Sequence, residues 1–263
     1  MLCVGIGGGG DAVGALVMAD LAGRFGVEAI VGGLTWERRV VDPIPGARAL
    51  DELDGLGERL SPAVALATAQ TTGPGGFLFA ESRLAGLLGE PVVLVDPNPG
   101  PAAVAASIDE ACDRLGCDRV ALFDVGGDVL AEGHEENLGS PLADAVLLAA
   151  AAHLRTPAIG AIWGAGCDGE LTIDEVLARV AALAAAGDLL GTWGPPPAAL
   201  DPVARAVETV PTEASAQALA AARGATGEAP IRGGRRTVAL TPVAGLIFLF
   251  DPVGALRSAA PLA

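Results

Sequence analysis

The stretch LCVGIGGGGDAVGALVMADLAGRF, residues 2–25, contains a short apolar run, a glycine-rich turn and a helical pattern in direct succession. The run at 2–6 has the length and composition of a buried strand, and the pattern after the turn predicts a helix over about 12–25. Runs rich in Val, Leu and Ile alternate with helical stretches along the rest of the chain. This alternation predicts an α/β fold with a Rossmann-like, doubly wound, mostly parallel sheet that carries helices on both faces.

The sequence also predicts the domain organisation, the start of a later helix and two strands near the C-terminus. No linker divides the chain, so we expect residues 1–263 to form a single domain. The pair Ser140-Pro141 is typical of a helix start, with a serine cap and a proline in the first turn. Near the end, residues 237–240 and 246–250 are strand-like and predict a hairpin at one edge of the sheet.

The charge and composition exclude several classes of protein. The formal net charge of −16 disfavours binding to nucleic acid and to anionic membranes. All 16 basic residues are arginine, so there is no lysine for a Schiff base, for pyridoxal phosphate or for a P-loop. No apolar stretch reaches the ~20 residues of a membrane span. The four cysteines lack zinc-binding spacing and the N-terminus lacks a signal pattern, so we expect a cytoplasmic protein; its high apolar content is compatible with a homodimer.

Polar residues gather directly after the predicted strands, whereas the loops that precede the strands look like ordinary connections. The carboxyl ends of parallel strands lie at one edge of a sheet, where loops are free to vary and helix N-termini attract ligands. We therefore expect a small-molecule site at this edge. The candidate residues are Asp11, Glu37, Arg38, Arg39, Gly75, Gly76, Asp96, Asp124, Asp128 and Cys167, together with the glycines of the first loop.

The first loop, residues 5–10, matches the pattern GxGxxG between a strand and a helix. In an NAD(P) site, the absence of side chains at Gly7, Gly8, Gly9 and Gly10 would let the backbone approach a phosphate of the cofactor closely. However, Asp11 stands where it would repel a pyrophosphate, and glycine replaces the acidic residue expected after the second strand. Three interpretations stay open: a dinucleotide site, a tight turn capped by Asp11, or a loop around a small polar ligand in which Asp11 binds a hydroxyl, an amine or a metal.

Three aspartates predict a cation site. Asp96, Asp124 and Asp128 follow two of the apolar runs, and carboxylates that converge repel one another unless a cation, an arginine or a proton intervenes. Mg²⁺ held by one or two of them together with a phosphate would relieve this repulsion. Asp11, Asp124 and Asp128 are also candidates for a general base. The alternative is that each aspartate only caps its own turn.

Cys167 is a candidate nucleophile because it follows a strand and precedes a helix. A nucleophilic thiolate needs a base nearby, and His134 is the histidine predicted at the same edge. The alternative interpretation is a small residue that fills a tight, glycine-rich turn.

The loop after the second strand contains Glu37, Arg38 and Arg39. The two arginines would bind a phosphate or a carboxylate of a ligand, or else pair with the many acidic residues of the chain. Gly75 and Gly76, in the loop after the third run, would hold a ligand through their backbone.

Six short segments occur together in this chain: GGGGD at 7–11, GLTWERR at 33–39, DP at 42–43, GPGG at 73–76, DVGGD at 124–128 and WGAGCDGE at 163–170. Together they resemble the DUF1152 family of archaea and actinobacteria. The resemblance spans nearly the whole chain. It implies one domain with a shared site, and it supplies no catalytic roles.

Three functions follow as hypotheses. The first is an enzyme of small-molecule metabolism that acts on a phosphorylated or nucleoside- or sugar-like compound, with Mg²⁺ as the candidate cofactor. The second is an NAD(P)-dependent oxidoreductase. The third is a ligand-binding or regulatory protein without catalytic activity. The fold alone does not choose among them.

Overall fold

The computed structural model describes residues 1–139 and 141–260, and within them a nine-stranded mixed sheet forms the centre of an α/β fold. Five strands are mutually parallel: β1 Leu2–Gly5, β2 Ile30–Leu34, β5 Val92–Val95, β6 Val120–Val125 and β7 Ala158–Trp163. Four further strands extend this core through antiparallel pairs: β3 Arg59–Ser61, β4 Val64–Ala67, β8 Leu189–Trp193 and β11 Ile247–Phe250. The strand order is β3-β4-β5-β2-β1-β6-β7-β11-β8.

Helices cover both faces of the sheet. One face carries α1 Asp11–Arg24, α2 Ala80–Leu88, α6 Pro197–Thr209 and α7 Glu213–Ala222. The other carries α3 Pro101–Leu115, α4 Leu142–Ala150, α5 Ile173–Ala186 and α8 Pro252–Ser258. Among the described residues, none of these helices has the length and apolar character to cross a membrane. Ser140, the predicted cap of α4, lies outside the described residues.

Two apolar cores result from the alternation of side chains along each strand. In β1, Leu2 and Val4 contribute to one core and Cys3 to the other. In β6, Leu122 and Phe123 divide in the same way. Because successive strand residues point to opposite faces, a strand buried on both sides is mostly apolar, and in β6 only Asp124, near its carboxyl end, is charged.

The order of the strands creates a switch point between β1 and β6. From β1 the chain moves outward through β2 to β5, and it then returns to the other side of β1 to form β6 and β7. The helix that follows β1, α1, lies on one face of the sheet and the helix that follows β6, α4, lies on the other, an arrangement at whose carboxyl edge open α/β sheets bind ligands. This is the edge at which the sequence predicted the site.

The predicted hairpin at the C-terminal edge is wrong. Residues 236–240 form β10, which pairs with β9 Gly227–Ile231 in a separate two-stranded sheet. Strand β11 instead enters the main sheet between β7 and β8. The sequence of β9, Gly-Glu-Ala-Pro-Ile, concealed the true partner, because glycine and proline are untypical of strands except in peripheral ribbons such as this one.

Replacing Gly14 with alanine should destabilise the protein by about 1–3 kcal/mol, since helix α1 packs too closely on β6 for a larger residue. A Cβ at Gly14 would overlap Cγ2 of Val125 and lie 3.0 Å from Cε1 of Phe123. Gly23→Ala is the matched control in the same helix, because a Cβ there meets no atom within 4 Å. We expect the control to stabilise by up to about 1 kcal/mol, and chemical denaturation of both variants measures the difference.

Candidate functional site

Six carboxyl side chains meet at the switch point, and we call them the acidic cluster. They come from α1, β6 and the turn after it, α4, and the loop after β7: Asp11, Asp124, Asp128, Asp144, Asp168 and Glu170. They form two groups of three, and within each group one oxygen of every residue lies within 4.8 Å of the others. The first group is Asp11, Asp124 and Asp144, and the second is Asp128, Asp168 and Glu170.

The first group is buried and only partly hydrogen-bonded. The N–H of Gly7 donates to Asp11 Oδ2 at 2.8 Å, which fixes Asp11 at the start of α1. The N–H groups of Gly127 and Val129 donate to Asp124 Oδ2 at 2.9 and 3.4 Å. The other oxygen of Asp124 and Oδ1 of Asp144 are buried without a hydrogen-bond partner. Buried carboxylate oxygens in this state need a proton or a cation.

The second group is covered by the β9–β10 hairpin. Nη2 of Arg232 donates to Glu170 Oε1 at 2.7 Å and to the carbonyl oxygen of Asp168 at 3.4 Å. Arg236 donates to the carbonyl oxygen of Gly169 at 2.8 Å. Oδ1 of Asp168 is buried without a hydrogen-bond partner. The hairpin thus places positive charge beside the second group.

Burial and mutual repulsion keep the acidic cluster from ionising fully. Burial, together with the smaller effect of the Asp168 and Glu170 charges, raises the pKa of Asp11 to about 8. Burial likewise raises the pKa of Asp168 to about 7. For Asp124, burial and then the Asp144 charge raise the pKa well above its ordinary value. At neutral pH the metal-free cluster therefore retains protons that a bound cation would displace.

The glycines of the first loop make room for these carboxylates. A Cβ on Gly7 would lie 2.6 Å from Asp11 Oδ2 and 3.3 Å from Asp144 Oδ1. A Cβ on Gly9 would lie 2.5 Å from Glu37 Oε2. The loop N–H groups are also engaged: Gly7 donates to Asp11, and Gly9 and Gly10 donate to the carbonyl oxygens of Trp36 and Gly8. Within the loop, these bonds leave few donors for a pyrophosphate.

Among the three charged residues of the loop after β2, Glu37, Arg38 and Arg39, only Arg38 has a buried N–H group without a hydrogen-bond partner. Glu37 is buried and caps α2, since its Oε1 accepts from the N–H of Ala80 at 2.6 Å. Arg38 donates through Nη2 to the carbonyl oxygen of Pro211, while its Nε is buried without a partner. Arg39 is exposed. Arg38 is thus the better placed of the two arginines to bind an anion near the first loop.

A family model described as a protein of unknown function (DUF1152) matches residues 2–263, essentially the whole chain. The chain belongs to the DUF1152 family. Neither the curated proteins nor the solved structures include a match to it.

The DUF1152 chain does not bring Asp96 into the acidic cluster. Strands β2 and β1 separate β5, which precedes Asp96, from β6, so about 14 Å lies between the strands at ~4.8 Å per step. The carboxylate of Asp96 accepts from the N–H of Leu50 at 3.3 Å and from the backbone and side-chain N–H of Asn98 at 2.9 and 2.8 Å. These bonds match the alternative interpretation, in which Asp96 caps its own turn.

Gly75, Gly76 and Cys167 have surroundings that do not suit their predicted roles. The two glycines lie in an open turn with φ of +82° and +84°, where a Cβ would meet no atom within 4 Å. Cys167 is fully buried, and burial raises the pKa of its thiol to about 12, opposite to what a thiolate nucleophile needs. His134 is exposed and lies 3.7 Å from Glu132. This geometry therefore does not favour a ligand held by Gly75 and Gly76 or a nucleophilic thiolate at Cys167.

Sequence reasoning missed Asp144, Glu81 and the role of Arg232. The sequence did contain a signal for Asp144, because this residue is the one charged residue of the apolar helix α4, LADAVLLAA. Glu81 is buried with both carboxyl oxygens unpartnered, and burial followed by the Glu37 charge raises its pKa well above the ordinary value. Arg232 reaches the cluster only because β9 and β10 form a separate ribbon, which the sequence did not indicate.

Proposed function

We propose that this chain is an enzyme of small-molecule metabolism that requires a divalent cation, with Mg²⁺ as the first candidate. Its ligand would be a phosphorylated or nucleoside- or sugar-like compound bound at the carboxyl ends of the strands. One observation carries the proposal: Asp124 Oδ1 and Asp144 Oδ1 are buried without partners in a group whose three carboxylates converge within 4.8 Å. Hard oxygen ligands of this kind suit Mg²⁺, Mn²⁺ or Ca²⁺.

The chemistry follows from the residues around the first group. Asp11, Asp124 and Asp144 would hold the cation, which when bound would polarise an oxygen of the ligand. Gly7 and the turn after β6 fix the carboxylates of Asp11 and Asp124 by hydrogen bonds, so the ligand set is oriented in advance. Arg38, with its buried and unused Nε, would bind an anionic group of the same ligand.

A second candidate, an NAD(P)-dependent oxidoreductase, is favoured by the order of the parallel strands. Numbered along the chain, those five strands run 3-2-1-4-5, as in a Rossmann-like dinucleotide fold, and a glycine turn follows the first. The N–H groups of Gly7, Gly9 and Gly10 already have hydrogen-bond partners, which weighs against this candidate.

The four free cysteines support our proposal that the protein works in the reducing cytoplasm.

Titration of Mg²⁺ or Mn²⁺ into the EDTA-treated chain should release heat and raise its Tm by several degrees at about 100 Kd of cation. A thermal-shift screen of nucleotides, sugar phosphates and NAD(P), run with cation and with EDTA, then identifies ligands whose binding needs the cation. Mass spectrometry of those mixtures detects conversion. Absence of cation binding at pH 8 contradicts the proposal, NAD(P) binding in EDTA favours the oxidoreductase, and cation-dependent binding without conversion indicates a regulatory protein.

A further inference from the structure

We propose that the acidic cluster holds two divalent cations, and that Arg232 occupies the second site in the metal-free protein until a cation displaces its guanidinium. The second site consists of Asp128, Asp168 and Glu170. The inference rests on the proposed function, in which the first group binds one cation, and it adds a second ion and a means of controlling its entry.

A single turn joins the two groups. Asp124, in the first group, accepts from the N–H of Gly127, immediately before Asp128 of the second group. Between them, a Cβ on Gly126 would overlap Cγ of Asp168, so the backbone of this turn lies directly against the second group. Consistent with this proximity, burial and then the Asp124 charge raise the pKa of Asp128 well above its ordinary value. The two groups are therefore adjacent parts of one centre.

The second group also contains an atom that lacks a partner. Oδ1 of Asp168 is buried without a hydrogen bond, although Arg232 reaches the carbonyl oxygen of the same residue. The Oδ1 atom itself is buried, and the neighbouring Asp128 and Glu170 are 8% and 3% exposed. A cation between these three carboxylates would satisfy Asp168 Oδ1 directly.

The conformation of Arg232 allows its side chain to leave while its backbone stays in place. The backbone has φ of 53°, a left-handed conformation rare for arginine, and its N–H donates to Glu213 Oε2 at 2.7 Å. The side chain is 36% exposed where it pairs with Glu170. Swinging into solvent would cost it one ion pair and a weak 3.4 Å contact, without unfolding the hairpin.

Charge balance favours two ions over one. Six carboxylates with Arg232 and one divalent cation leave three formal negative charges in a largely buried volume, whereas two divalent cations, with the guanidinium displaced, leave two. Uncompensated buried charges are costly, and a second cation reduces the uncompensated charge of the centre. Paired cations bridged by carboxylates are a known arrangement for displacement at phosphate.

The test uses Mn²⁺ alone as the probe, titrated into the full chain after EDTA treatment and followed by calorimetry and electron paramagnetic resonance. We expect two equivalents per chain and a spin-coupled signal from adjacent ions. Glu170→Gln should retain one equivalent and lose the coupled signal. Arg232→Gln should tighten the second equivalent by about tenfold, because the competing guanidinium is gone.

Arg235→Gln is the matched control for charge. Arg235 is exposed on the same hairpin, and its Nε donates only to the carbonyl oxygen of Arg232, at 2.9 Å, so both affinities should change by less than about twofold. One equivalent of Mn²⁺ in the wild-type chain overturns the second site but leaves the proposed function standing, whereas no binding at all overturns both. An unchanged second affinity in Arg232→Gln overturns the displacement. The wild-type stoichiometry decides even if a variant fails to fold.

Discussion

Asp124→Asn should weaken cation binding at the first site by at least about 100-fold and, at pH 8, stabilise the metal-free protein. The two effects have one cause. Oδ1 of Asp124 is a buried ligand atom without a hydrogen bond, and the Asp144 and Asp11 carboxylates lie close enough to raise its pKa after burial does. Asparagine still accepts from Gly127 but carries no charge, so repulsion falls by about 1–2 kcal/mol while the ligand is lost.

Calorimetry measures the affinity, and thermal unfolding in EDTA measures the stability, where this gain corresponds to a Tm rise of about 3–6 °C. Asp96→Asn is the matched control at the same sheet edge. The oxygens of Asp96 accept from Leu50 and Asn98, so its loss should destabilise by about 1–3 kcal/mol and leave cation affinity within about twofold. If Asp124→Asn destabilises the metal-free chain and retains the cation, the carboxylate has only a structural role.

The edge of the sheet that carries the acidic cluster was predictable from local sequence. Asp11 and Asp124 follow or end runs that are apolar at every position, and such runs are parallel strands buried on both faces. The carboxyl ends of parallel strands share an edge whatever their order. Residues that sit at strand ends could therefore be assigned to that edge without knowing which strands are neighbours.

Which strand ends are close together was not predictable in the same way. The β5 and β6 strands follow one another in sequence, yet β2 and β1 lie between them, which separates Asp96 from Asp124. Strand order results from how helices pack on the two faces, and runs of Val and Leu do not encode it. The acidic cluster forms at β1 and β6 because the order in which strands are added to the sheet reverses there, from one side of β1 to the other.

The positions of Asp144, in the acidic cluster, and of Arg232, beside it, depend on long-range packing. Asp144 reaches the first group because α4 packs its apolar side on the sheet and points this residue toward β1 and β6. Arg232 reaches Glu170 because β9 and β10 form a separate two-stranded sheet, while β11 joins the main sheet. Neither placement follows from spacing, since both require the position of one element relative to another that is distant in sequence.

The stability of the metal-free protein should fall as pH rises from 5 to 8. Burial raises the pKa of Asp11 from 3.8 to about 8, and that of Asp168 from 3.8 to about 7. The folded state thus binds more protons than the unfolded state in this range, so the contribution of these groups is complete below pH ~4 and is lost as pH passes through the folded pKa. Asp11 alone corresponds to about 3 kcal/mol across the interval.

Groups of the opposite kind do not mask this trend. Burial opposes ionisation of Asp109, but hydrogen bonds from Thr156 and Arg155 hold the pKa of that carboxyl below its ordinary value of 3.8. Its contribution is present above pH ~4 and is lost only as pH falls further, outside the measured range.

Saturating Mn²⁺ should abolish this slope, because neither the cation-bound folded state nor the unfolded state binds protons at these carboxyls above pH 5. Cation binding requires the deprotonated carboxylates, so the stabilisation by Mn²⁺ grows as pH rises, and the curves of Tm against pH with EDTA and with Mn²⁺ should diverge. In Asp11→Asn the EDTA curve should flatten, because the group with the raised pKa is gone. A stability in EDTA that does not fall from pH 5 to 8 would mean that these carboxyls ionise normally in the fold, and the acidic cluster would then have no need of a cation.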